Sequence, residues 1–130
     1  MPLIDNNRVV WITGAGKGIG RALAKRMANE GWAVAASART EQDLASLKSE
    51  CPSGGIHCFP LDVTDPVATS SIVERIVNEI GSINLVVLNA GNHIPMTAKT
   101  FSSETFRTLI DTNLMGVVYG LEQVIPMFLE

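Results

Sequence analysis

Cationic runs are missing from this 130-residue chain: ten Lys and Arg are scattered against thirteen Asp and Glu, for a net charge of −3 and only 18% charged residues. A nucleic-acid backbone is met by clustered cations, so nucleic acid is not an expected partner. Cysteine is scarce too, with only Cys51 and Cys58. Their separation fits neither a Cys-x-x-Cys redox pair nor a zinc site, and His57 beside them adds little, so no metal is expected. Both read as free thiols acting as small apolar groups, in a reduced, cytoplasmic setting. No apolar run approaches the ~20 residues that a bilayer crossing takes, so no membrane partner is expected. The opening residues 1–8, MPLIDNNR, lack the basic and apolar regions of a leader. Apolar residues are plentiful at 46%, which excludes a disordered chain. The length corresponds to one domain over residues 1–130, with no room for separate cofactor and substrate domains.

Short β-branched runs alternate with longer amphipathic ones, the pattern of βαβ units and a doubly wound α/β parallel sheet. Strands are expected at Arg8–Thr13, Trp32–Ala38, Ile56–Leu61 and Ile83–Leu88, apolar enough to be buried on both faces. Helices are expected at Ile19–Glu30, with Ile19, Ala22, Leu23 and Met27 on one stripe, and at Glu41–Glu50. A third starts at Asp65-Pro66, carries Ile72, Val73, Ile76, Val77 and Ile80 inward, and ends at Gly81. From Ser102 the pattern is helical again, and Leu114, Val117, Val118, Leu121, Val124, Ile125 and Phe128 make a wide apolar face. Right-handed crossovers predict a Rossmann-type strand order 3-2-1-4.

Between the first strand and first helix stands Thr13-Gly14-Ala15-Gly16-Lys17-Gly18-Ile19-Gly20, where an α/β sheet places a phosphate-binding turn. Gly18 follows Lys17 where a P-loop needs Ser or Thr, and Ile19 stands where G-x-G-x-x-G needs its last Gly, so neither pattern fits. The spacing present is Thr-Gly-x-x-x-Gly-x-Gly.

That spacing resembles the nucleotide loop of the short-chain dehydrogenase/reductase family, and the resemblance continues in order through Asp62-Val63, Asn89-Ala90-Gly91 and Asn113. Elementary chemistry suits these stations. Gly14 permits a tight turn, Gly18 lets backbone approach a pyrophosphate, Gly20 lets helix pack near strand, and Ile19 offers a backbone N–H at the positive helix end. Asp62 is an acceptor for an adenine amino group, with Val63 as apolar contact, although an Asp here also suits a turn cap. Asn89, Ala90 and Gly91 end the fourth strand at the ligand-binding edge, where small residues leave room for a ribose.

Sites for NAD place Asp or Glu at the end of the second strand, about twenty residues beyond the glycines, to accept from a ribose 2′-hydroxyl. Here the chain reads Ser37-Ala38-Arg39-Thr40. Arg39 suits a 2′-phosphate, and Lys17 supplies a second positive charge. Within the family, basic residues at both places accompany NADP(H). Both side chains also read as ordinary solvated residues, and Glu41 is a competing acceptor that reads better as a first-turn helix residue.

The resemblance implies hydride transfer between NADP(H) and a small carbonyl or alcohol, using a Tyr general acid, a Lys four residues later, a Ser and an Asn. Only Asn113 of that set is present, and the family places it where a helix is interrupted near the active site. The single Tyr119 has Gln123 four residues on and reads as a packing residue, and His93 as a loop residue by the cleft. The family's Ser, Tyr and Lys lie further along than Glu130, so the resemblance covers about the first half of a member. The 130-residue chain is therefore expected to be inactive alone. Two readings stay open: the cofactor-binding part of an oxidoreductase, or a non-catalytic dinucleotide-binding module or partner-dependent fragment. The family also implies a homo-oligomer for the complete protein.

Overall fold

The computed structural model describes residues 8–130, so the leader-free reading of residues 1–7 falls outside them. Strand β1 (Val9–Thr13) is central and wholly buried; it pairs with β2 (Ala33–Ser37) on one side and β4 (Ile83–Leu88) on the other. β3 (Ile56–Cys58) pairs with β2, every pairing is parallel, and the order is β3-β2-β1-β4, as the crossover rule predicts.

Side chains alternate across β1 because successive Cβ atoms leave opposite faces of a strand. Val10 and Ile12 join one core with Ala24 and Met27 of α1 (Gly18–Asn29) and Leu44 and Leu47 of α2 (Glu41–Ser49). Val9 and Trp11 join the other with Ile72 and Ile76 of α3 (Pro66–Glu79) and Val124 of α5 (Gly116–Phe128). Helices on both faces explain why the strands show no polar alternation. The Trp11 indole N–H, buried between layers, donates to Ser37 Oγ at 3.0 Å.

Helix ends follow local chemistry. Asp65 Oδ1 accepts from the Ala68 N–H at 3.0 Å with Pro66 in the first turn, and Gly31 leaves α1 with φ +92°. Helix α4 (Ser103–Ile110) starts where Ser102 Oγ accepts from Thr105 N–H, then widens into a π-helical turn (Asp111–Met115) before α5. No helix among the described residues is long and apolar enough to cross a membrane.

Three expectations need correction. The buried stripe of α1 is Gly20, Ala24, Met27 and Ala28, whereas Ile19 is 81% exposed and Ala22 also faces solvent. β3 is shorter than expected: ladder pairing stops at Cys58, although Phe59 and Leu61 N–H still donate to Ala36 and Ala38 carbonyls around Pro60, which has no N–H. Finally, α5 packs inward through Gly116, Gly120 and Val124, while Leu114, Val118, Leu121, Ile125 and Phe128 remain exposed. A Cβ at residue 120 would lie 2.7 Å from Leu88 Cδ2, and one at residue 116 would lie 2.7 Å from Val63 Cγ2. Only glycine admits that approach.

Candidate nucleotide site

The carboxyl ends of β1, β2 and β4 meet where the chain turns from strand to helix. Gly14 leaves β1 with φ +65°, and a Cβ there would lie 2.8 Å from Ala90 Cα. The loop is tied to both flanking strands. Ala15 N–H donates to Ser37 O at 3.0 Å, Asn89 Nδ2 donates to Gly14 O at 3.3 Å, and Ala90 N–H donates to Thr13 Oγ1 at 3.1 Å. Asn89 is thus occupied in bracing the turn. Gly20 lies beneath it, where a Cβ would overlap the Gly14 carbonyl oxygen.

Gly18 begins α1 with φ +59° and has open space where a Cβ would project. Lys17, the residue that precedes this helix, makes no side-chain capping bond, and the first turn holds no acid. The positive end of α1 is therefore available to an anion. Ile19 extends from the same turn into solvent.

A cleft of about 290 Å³ opens beside this turn, lined by Gly14, Lys17, Arg39, Asp62, Val63, Asn89, Ala90 and Gly91 of the sequence-predicted set. Gly18, Ile19, Gly20 and Asn113 are not part of its wall. The lining also includes Gly16, Ala38, Thr40, Asp43, Leu61, Asn92 and Thr112, which sequence reasoning had given no role. Glu41, the competing acid, sits in the first turn of α2 outside the lining.

Asp62 Oδ1 accepts from both Thr64 Oγ1 at 2.7 Å and Thr64 N–H at 3.0 Å. The Thr64 hydroxyl bond holds this carboxyl below its ordinary range against partial burial, and the Arg39 charge contributes in the same direction. Asp62 is ionised at neutral pH and also caps its own turn. Asn113, in the π-helical turn, accepts from Asn92 N–H at 2.6 Å and donates to Asn92 O at 2.8 Å. Its amide therefore reaches the cleft through Asn92, whose backbone it pins. The two thiols stand apart: Cys51 is buried and Cys58 is half-buried, where burial pushes its thiol up. Among the described residues no group of His, Cys, Asp and Glu is arranged to hold a metal.

Comparison with known proteins follows this geometry. The NADPH-dependent pterin aldehyde reductase of Arabidopsis thaliana is 37% identical over 125 residues, covering 94% of this chain and 51% of that protein. Serine dehydrogenase from Escherichia coli superposes with a TM-score of 0.83 at 33% identity, covering 91% of this chain and 55% of that one. The alcohol dehydrogenase from the archaeon Thermococcus sibiricus, solved with 5-hydroxy-NADP, superposes with a TM-score of 0.85 at 30% identity over 92% of this chain and 52% of that one. The chain spans about half the length of the curated relatives it matches, 53% and 49% for two of them. The family model described as short chain dehydrogenase matches residues 8–130. Since that match runs from the start of β1 through the glycine turn and on beyond α5, the chain belongs to the short chain dehydrogenase family.

Proposed function

We propose that this chain is the NADP(H)-binding part of an oxidoreductase that transfers hydride between NADP(H) and a small carbonyl or alcohol. The observation that carries the cofactor choice is the charge at the end of β2: Arg39 and Lys17 line the cleft, and Glu41 does not. Arg39 there supports phosphate recognition by a planar, permanently charged fork. The residues present fit a dinucleotide. The open space above Gly18 and the uncapped start of α1 suit a pyrophosphate, with Ile19 contributing a backbone N–H and Gly14 and Gly20 shaping the turn.

Asp62 is proposed to accept from the adenine amino group, with Val63 against the ring, and Ala90 and Gly91 to leave room for a ribose. Asn89 holds the turn through Gly14 O. Asn113 is assigned to the active-site side of the cleft, where it fixes the Asn92 backbone. The nicotinamide supplies the hydride when bound; this chain's residues hold and orient it. Because the sequence contains no Tyr-x-x-x-Lys, these 130 residues alone are proposed to bind cofactor without turnover. The exposed apolar side of α4 and α5, with Phe106, Leu114, Val118 and Ile125, supports a homo-oligomer for the complete protein. Free thiols at Cys51 and Cys58 fit a cytoplasmic setting.

Arg39→Ala tests this reading. A hydrogen bond to a charged group is worth about 1.5–3 kcal/mol, so NADPH binding should weaken about 10- to 100-fold. NADH should change by less than about threefold, since it offers no 2′-phosphate. Fluorescence titration of both cofactors reads this ratio, and equal losses for the two would refute the NADP(H) assignment.

A further inference from the structure

The cleft wall contains one anion close to Lys17, and it comes from α2. Asp43 Oδ2 lies 3.8 Å from Lys17 Nζ, and the two side chains differ sharply in freedom, 30% exposed for Asp43 against 84% for Lys17. The backbone around Asp43 is clamped. Arg21 Nη1 donates to Asp43 O at 3.0 Å and to Gly16 O at 3.2 Å, so a single guanidinium ties the start of α2 to the glycine turn. The Asp43 side chain is packed on that turn as well: a Cβ at residue 16 would lie 3.1 Å from Asp43 Cβ. A fixed carboxylate therefore faces a mobile ammonium.

We infer that Asp43 is a cofactor-discrimination residue that engages Lys17 and so limits how much of the lysine's charge reaches a 2′-phosphate. The inference rests on the NADP(H) reading above. At the end of β2 the cleft presents two cations, Lys17 and Arg39, and one anion, Asp43. A phosphomonoester carries about −1.5 to −2 charges at neutral pH, so it must draw Lys17 away from Asp43 to use it. The pair at 3.8 Å is long and open to water, which keeps the exchange possible and its effect moderate. Arg39 supplies attraction for the phosphate, and Asp43 tempers it.

Asp43→Asn removes the charge while keeping the shape of the side chain. It should tighten NADPH about three- to tenfold, the order expected for one charge near a screened surface site. NADH should move by less than about twofold. Asp43→Glu, which restores a carboxylate, should return the NADPH-to-NADH ratio toward that of the parent, and Asp43→Ser serves in place of Asn should that variant unfold. In a Lys17→Met background the gain from Asp43→Asn should largely vanish.

An unchanged ratio in Asp43→Asn would overturn the inference. The same gain with and without Lys17 would also overturn it, because the carboxylate would then act on the phosphate directly. A large loss of NADH binding would overturn it in a third way, by showing that Asp43 holds a ribose hydroxyl. Failure of the underlying reading is separable, since Arg39→Ala would then weaken both cofactors equally whatever Asp43 does.

Discussion

Replacing Gly20 by Val is expected to abolish cofactor binding and to lower the melting temperature by about 10 °C or more. A Cβ at residue 20 overlaps the Gly14 carbonyl oxygen and lies 2.6 Å from Asn89 Nδ2 and 2.9 Å from Gly14 C. Two of those three contacts are backbone, and the third belongs to an amide already committed to Gly14 O. Neither side can yield by a rotamer change. Overpacking commonly costs about 1–3 kcal/mol where side chains can adjust, and here the helix must instead move away from the strand. Such a shift carries the start of α1 and Gly18 with it, so the anion end of the site is displaced. Circular dichroism melts combined with an NADPH titration check both halves of the expectation. A variant with parental stability and affinity would show that the turn is looser than this packing implies.

Trp11→Ala is expected to produce the largest loss of stability, about 3–5 kcal/mol from the core cavity alone. Trp11 is fully buried in the central strand, among Val9, Ile72, Ile76 and Val124 in the core beneath α3 and α5. Its removal also leaves the buried Ser37 hydroxyl without its indole donor, which adds a desolvation cost. Domains typically hold only about 5–15 kcal/mol in total, so a substantial unfolded population is expected near physiological temperature. Urea unfolding reads this directly: the midpoint should fall with the slope unchanged. A change below about 1 kcal/mol would contradict the core as described.

Much of the fold was legible because its strands are short β-branched runs divided by Gly, Pro and Asp. Ile83–Leu88 matched without adjustment, as did the inward positions Ile72, Val73 and Ile76 of α3. The faces of α1 and α5 were less legible for a physical reason. Their closest packing is made by Gly20 in one and by Gly116 and Gly120 in the other, and glycine carries no apolar signal for a periodicity to detect. Ile19 drew the predicted stripe toward itself although it extends from the loop side of the helix into solvent.

The site was legible where it depends on position along a strand, as at Arg39, Asp62 and Asn89–Gly91. It was not legible where distant segments meet. Asn92 and Asn113 are 21 residues apart and joined by two hydrogen bonds, and Asp43 reaches Lys17 only because α2 folds back onto the glycine turn. Neither pairing leaves a local pattern.

The central claim is that this cleft prefers a cofactor bearing a 2′-phosphate, and the most direct measurement is a pair of equilibrium titrations of the unmodified protein with NADPH and NADH at the same ionic strength. With Arg39 and Lys17 at the cleft wall, NADPH should bind at least about tenfold more tightly, the equivalent of roughly 1.4 kcal/mol. The preference should shrink as salt is raised. Equal affinities, or tighter binding of NADH, would contradict it.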